Sequence, residues 1–200
     1  MSAYQFVPSP DLSTRESNLT TWENGFTEEQ INKIIAIGES FSINDATVGG
    51  QKDGEDISKI RKSKTSWIKC NDQTVWLYDS LAYIVRQING QFYDFDLYGF
   101  VEDMQYTVYV GKDESHYTWH IDKGFNSLSP RKLSLVLQLS DPSEYKGGDL
   151  EFFYGSNPEK AVKKKGLIYL FPSWMLHRVT PVTSGIRRSL VVWVSGPKFR

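Results

Sequence analysis

Three residues carry the chemistry open to this sequence: His120 and Asp122, two positions apart in Tyr117-Thr118-Trp119-His120-Ile121-Asp122, and His177 far downstream. In an extended strand, side chains two apart leave the same face, so His120 and Asp122 can close on one ion. A second imidazole from another strand completes a 2-His-1-carboxylate set, which holds Fe(II) on one side and leaves positions open for substrate and oxygen. Taken alone, His-x-Asp is a chance tripeptide more often than a site. Here, however, the chain has only three histidines, and His177 lies just past the apolar run ending at Phe171-Pro172. The third, His116, shares strand parity with His120 and is expected to face solvent or a neighbour.

After His177 comes Gly185-Ile186-Arg187-Arg188-Ser189. On one strand Arg187, Ser189, Val191 and Trp193 share a face, and Arg188, Leu190, Val192 and Val194 share the other. Both faces are largely apolar, as a fully buried strand requires. An arginine on such a strand offers a planar fork for bidentate pairing with a carboxylate, and Ser189 adds a hydroxyl donor beside it. A metal that served structure alone would need no such clamp.

The ordered set His120-x-Asp122, His177 and Gly185-x-Arg187-x-Ser189 resembles the 2-oxoglutarate/Fe(II)-dependent dioxygenase superfamily. The similarity is greatest to its prolyl 4-hydroxylase-like branch, including the PKHD-type hydroxylases. Gly147-Gly148-Asp149-Leu150-Glu151-Phe152, between the metal-ligand segments, and Val179-Thr180-Pro181, after the second His, extend the resemblance over about residues 100–196. It implies a double-stranded β-helix (jelly roll), with Fe(II) held by His120, Asp122 and His177. It also implies 2-oxoglutarate as co-substrate on Arg187 and Ser189, dioxygen as oxidant and ascorbate as an auxiliary reductant. The implied reaction decarboxylates 2-oxoglutarate to succinate and CO₂ and hydroxylates an aliphatic C–H, expected to be a prolyl residue of a peptide or protein. By order in the chain, Tyr109 matches the family tyrosine that lines the co-substrate pocket. Trp193 and Arg131 match family positions near the substrate, Trp193 reading equally well as a core tryptophan, and Trp67 is either a buried aromatic or a wall of the substrate groove. Two other readings stay open: the same chemistry on a free amino acid or other small molecule, and a non-catalytic jelly-roll module with a structural metal. Asp122 is present, which disfavours the halogenase variant that lacks this carboxylate.

The rest of the chain must position these residues. With 200 residues, 40% of them apolar, it can bury a sizeable core and is most simply one domain. A net charge of −1 gives no electrostatic case for nucleic acid or an anionic membrane. No signal peptide or membrane-length apolar run is read from the sequence, and the single Cys70 fits a reducing, cytoplasmic setting. Residues 1–21 read as an irregular lead-in, 22–95 as a helical support region and 96–200 as the β core. Thr27-Glu28-Glu29-Gln30 is a capping-box sequence opening a helix with Ile31, Ile34 and Ile35 on one face. A second helix is expected over 72–89, with Gly90 as its stop. From Met104 the period becomes two, and strands are expected over 104–110, 116–121, 132–140, 150–154, 166–171, 178–182 and 187–195. The fold class that follows is α+β, mainly β, with N-terminal helices packed on one sheet. Polar loops at 49–56 and 123–131 are candidates to close over substrate, Gln138 could face the pocket, and Lys163-Lys164-Lys165 reads as a solvated edge.

Overall fold

The expected capping box forms. Thr27 Oγ1 accepts from the Gln30 N–H (3.2 Å) while the Gln30 side chain accepts from the Thr27 N–H (2.8 Å), which starts helix α1 (Glu28–Ser40). Satisfying two otherwise orphaned donors in this way fixes where the helix begins. In the computed structural model, which describes residues 19–47, 57–124 and 130–198, α1 buries Ile31 and Ile34. Helix α2 (Val75–Ile88) buries Leu77, Leu81, Ile84, Val85 and Ile88, the apolar stripe read from the sequence. Gly90 is not its stop. The helix runs on through a π-helical turn, Asn89–Tyr93, and Asp94 takes the left-handed conformation at φ 53°.

Thirteen strands are formed among the described residues. In chain order they are β1 (Thr20–Trp22), β2 (Asn44–Asp45), β3 (Arg61–Lys62), β4 (Lys64–Ile68), β5 (Met104–Val110), β6 (His116–His120) and β7 (Arg131–Gln138). Then follow β8 (Tyr145–Gly147), β9 (Leu150–Phe153), β10 (Glu159–Lys160), β11 (Ile168–Pro172), β12 (Leu176–Val179) and β13 (Val182–Ser195). The larger sheet runs β1-β11-β7-β13-β5-β4-β2, with β8 also paired to β13, and the smaller runs β10-β9-β12-β6-β3. All pairings are antiparallel, and the two sheets make the jelly roll.

Strand parity divides the core in two. Met104, Tyr106 and Val108 of β5, Leu133, Leu135 and Leu137 of β7, and Leu190, Val192 and Val194 of β13 pack toward the helices. Val136, Tyr109, Leu150, Phe152, Phe171 and Val179 fill a second cluster, drawn from both sheets. The central strands are therefore covered on both faces, which is why β13 reads as apolar on both sides.

Helix α1 approaches the larger sheet closely at Gly38, where a Cβ would stand 2.3 Å from the Tyr106 ring. Glycine in a helix interior ordinarily costs about 1 kcal/mol relative to alanine, so close packing is the reason for it here. Gly38→Ala is expected to destabilise the fold by about 1–3 kcal/mol through overpacking. Thermal melting should fall by roughly 3–10 °C for a domain of this size. An unchanged or higher melting temperature would mean the helix rides away from the sheet without cost.

Several expectations are corrected by the coordinates. Thr20 and Thr21 do not belong to an irregular lead-in but form β1 against β11, with Thr20 Oγ1 donating to the Leu170 carbonyl (3.0 Å). Residues 42–70, whose sequence reads as short strands around a polar segment, do supply strands, β2 and β4 to the larger sheet and β3 to the smaller. The lysine run is not a free edge. Lys163 pairs with Asp149 (2.7 Å), Lys164 with Glu23 (2.6 Å) and Lys165 with Glu28 (2.7 Å), so it ties the sheet to the start of α1. The strand expected over 178–182 begins earlier, at Leu176, which puts His177 inside β12. The loop expectations at 49–56 and 125–129 lie outside the described residues. No helix among the described residues is long and apolar enough to cross a membrane.

Candidate active site

The smaller sheet brings the metal-binding candidates together. His120 ends β6 and stands in register opposite His177 on β12, and Asp122 follows β6 with its N–H held by the Ser173 carbonyl (2.8 Å). His120 Nε2 lies 3.7 Å from Asp122 Oδ1, and His177 Nε2 lies 3.5 Å from Asp122 Oδ2. One donor atom from each of the three residues falls within 4.8 Å of the others. Bonds of about 2.0–2.2 Å to a shared ion fit that spacing.

Hydrogen bonding fixes which ring nitrogen is presented. His120 Nδ1 sits 2.7 Å from the Thr118 carbonyl and His177 Nδ1 sits 2.9 Å from the Met175 carbonyl. A carbonyl can only accept, so each Nδ1 carries a hydrogen and each Nε2 is the nitrogen turned toward Asp122. Burial, with His177 alongside, lowers the His120 pKa to about 3, which keeps the ring neutral. Burial works against ionisation of Asp122, but the two neighbouring histidines hold its carboxyl below the ordinary range. Two neutral imidazoles and a carboxylate are the donor set that suits Fe(II).

A cavity of about 860 Å³ is lined by these residues and also by Arg187. Arg187 is only 2% exposed, and its contacts are Ser189 Oγ (3.4 Å) and the face of Tyr109 (5.2 Å). Among the described residues no carboxylate pairs with it. A buried cation without a counterion is costly, so this one is suited to an anion that arrives from outside. Gly148, at φ +60°, lets the backbone pass the arginine: a Cβ there would be 3.0 Å from Arg187 Cδ. Register explains the assembly, since Arg187 faces Tyr109 across the β13–β5 ladder and Ser189 faces Thr107.

The remaining candidates form one wall of the mouth. Arg131 stacks on the face of Trp193 at 3.6 Å, and Trp67 stands 6.2 Å from Trp193. Trp67 is 43% exposed, so it is no buried core aromatic. Trp193 is buried, and its Nε1 has no hydrogen-bond partner among the described residues. Gln138 takes no part in the cavity; it donates to the Val162 carbonyl (2.7 Å). His116 turns away, with Nδ1 at the Glu114 carbonyl (2.9 Å).

Tyr117, Arg61 and Glu102 line the cavity without any role assigned from the sequence. Tyr117 stacks on His120, with ring centres 3.5 Å apart and planes at 12°, and Arg61 lies 4.7 Å over the Tyr117 ring. Burial raises the Tyr117 hydroxyl to about 12. Simple alternation puts Tyr117 and His120 on opposite faces, but the β6–β12 pairing shifts register between them, and such a bulge turns both inward. Glu102, from the segment before β5, is the third, and it pairs with Arg131.

Comparison with known proteins agrees with this geometry. Residues 104–195 match the family model of the 2OG-Fe(II) oxygenase superfamily. A PKHD-type hydroxylase of Synechococcus sp. (strain CC9902) is 41% identical over 78 residues, 39% of this chain and 35% of that protein. The match thus spans about a third of the length of this curated relative. A Pseudomonas putida prolyl-4-hydroxylase superposes with a TM-score of 0.70 at 18% identity, over 91% of this chain and 94% of that one. A Trichoplax adhaerens prolyl hydroxylase in complex with a hypoxia inducible factor peptide fragment gives 0.71 at 17% identity, over 90% and 84%. At these identities the two structures speak to the fold.

Proposed function

We propose, from the premise that residues 104–195 belong to the 2OG-Fe(II) oxygenase superfamily, that this chain is a 2-oxoglutarate-dependent hydroxylase of PKHD type acting on a prolyl residue of a peptide or protein. The observation that carries the reading is one cavity lined both by a 2-His-1-carboxylate set and by a buried arginine with no carboxylate partner among the described residues. Iron(II) bound by His120, Asp122 and His177 would supply the activation of dioxygen that couples 2-oxoglutarate decarboxylation to hydroxylation. The protein's own residues position and shield the reactants. Arg187 and Ser189 would take the far carboxylate of 2-oxoglutarate, with Tyr109 lining that pocket. Leu150 and Val179 line the same cavity and exclude water.

A peptide rather than a free amino acid is supported by the shape of the mouth. Trp67 and Trp193 make an aromatic wall that suits an apolar ring, and Trp67 extends this wall to the surface. The lone, exposed thiol of Cys70 fits a cytoplasmic setting. The experiment is incubation with Fe(II), 2-oxoglutarate and ascorbate in air against proline-containing peptides and free amino acids. A gain of one oxygen atom on a peptidyl proline is the expected result. A gain confined to free amino acids would overturn the peptide assignment.

A further inference from the structure

Arg131 is committed on every side. Its Nε and Nη2 pair with both carboxylate oxygens of Glu102 (2.6 and 2.5 Å), its Nη1 donates to the main-chain carbonyl of Asp122 (3.2 Å), and its flat face covers Trp193 at 3.6 Å. One guanidinium thus grips the backbone of the carboxylate ligand while its face lies on Trp193, which lines the same cavity. Glu102 comes from the segment before β5, Arg131 opens β7, and Asp122 follows β6, so the pair joins three parts of the chain around one ligand.

We propose that Glu102 and Arg131 form a latch that positions Asp122 for metal binding, with Arg131 acting through its hydrogen bond to the Asp122 carbonyl. This rests on the reading of His120, Asp122 and His177 as metal ligands. It follows from what the fork can do: Glu102 uses two of its N–H directions, Asp122 a third, and the stacking face is covered. Lysine could keep the charge but not the bidentate pair and the stack together. Nothing in the latch needs substrate, so its effect is present in the resting protein.

The test is Co(II) titration of the purified, metal-stripped full chain by calorimetry, for the parent, Arg131→Lys, Glu102→Gln and the double variant, with His177→Ala as the ligand-loss control. Far-UV circular dichroism and a thermal melt of each metal-free protein establish that it is folded. Residues supporting a metal ligand typically contribute about 10–100-fold to affinity, and a loss of that size is expected for each single variant. The double variant is expected to bind no more weakly than the worse single one, because partners in one unit do not add. Glu102→Gln is nearly isosteric and keeps the test available should Arg131→Lys fail to fold. Parent-like Co(II) affinity in the folded single variants would overturn the latch while leaving the ligand set intact. A parent that binds Co(II) no better than His177→Ala would overturn the ligand reading itself.

Discussion

Asp122→Ala is expected to abolish metal retention and turnover while the protein stays folded. The carboxylate is buried between two imidazoles and offers an oxygen to each side of the candidate metal position, 3.7 Å from His120 and 3.5 Å from His177. Removing it leaves two neutral ligands and no charge to balance a dication, a larger loss than the 10–100-fold usual for a supporting residue. The net lowering of the Asp122 pKa means the ionised carboxyl favours the folded state, so the metal-free variant should be somewhat less stable than the parent, and far-UV circular dichroism checks that it is folded before metal is added. The measurement is thermal melting with and without divalent metal. At a hundredfold excess over Kd, metal should stabilise the parent by about 2.7 kcal/mol, which is roughly 5–10 °C for a chain of this size. Asp122→Ala should show no metal-dependent shift. A variant that still gains the full shift, or turns over normally, would remove Asp122 from the metal site.

The second large effect concerns Arg187. Loss of one desolvated, charge-assisted contact costs on the order of 2–5 kcal/mol. Arg187→Ala should therefore raise the 2-oxoglutarate requirement roughly 30-fold to a few thousand-fold while Co(II) affinity stays close to that of the parent. Arg187→Met separates binding from packing. It fills most of the volume and removes a buried charge that has no counterion among the described residues, so the metal-free protein should be as stable as the parent or more so. Greater stability combined with a weakened 2-oxoglutarate response is the pattern of a site kept for binding at the expense of stability. An unchanged 2-oxoglutarate dependence in both variants would place the co-substrate clamp elsewhere.

What the sequence made legible, and what it hid, follows from the range of the interactions involved. The face of β13 could be read because the strand is regular where it matters: Arg187, Ser189, Val191 and Trp193 all line the cavity as parity requires. The capping box at Thr27 and the stripe of α2 are likewise local signals, written within one or two turns of helix. Tyr117 was hidden by a bulge, since alternation is the only guide to strand faces and a bulge is a break in it. The end of α2 differs from the glycine signal at Gly90 because the helical turn continues to Tyr93 and Asp94 adopts the left-handed conformation more often given to glycine. Glu102 lies 29 residues from Arg131, and nothing near either residue announces the pair. The lysine run shows the same difficulty, with partners 141 and 137 positions away for Lys164 and Lys165. Chemistry carried by residue type and short spacing was readable, whereas chemistry assembled by tertiary pairing was not.

The most direct test of the account is succinate release from 2-oxoglutarate by the purified chain with Fe(II) in air, run beside His177→Ala. The account predicts succinate above the His177→Ala level without added substrate, and a further rise when an accepted peptide is present. Succinate that never exceeds the His177→Ala level, with or without the peptide panel, would contradict it.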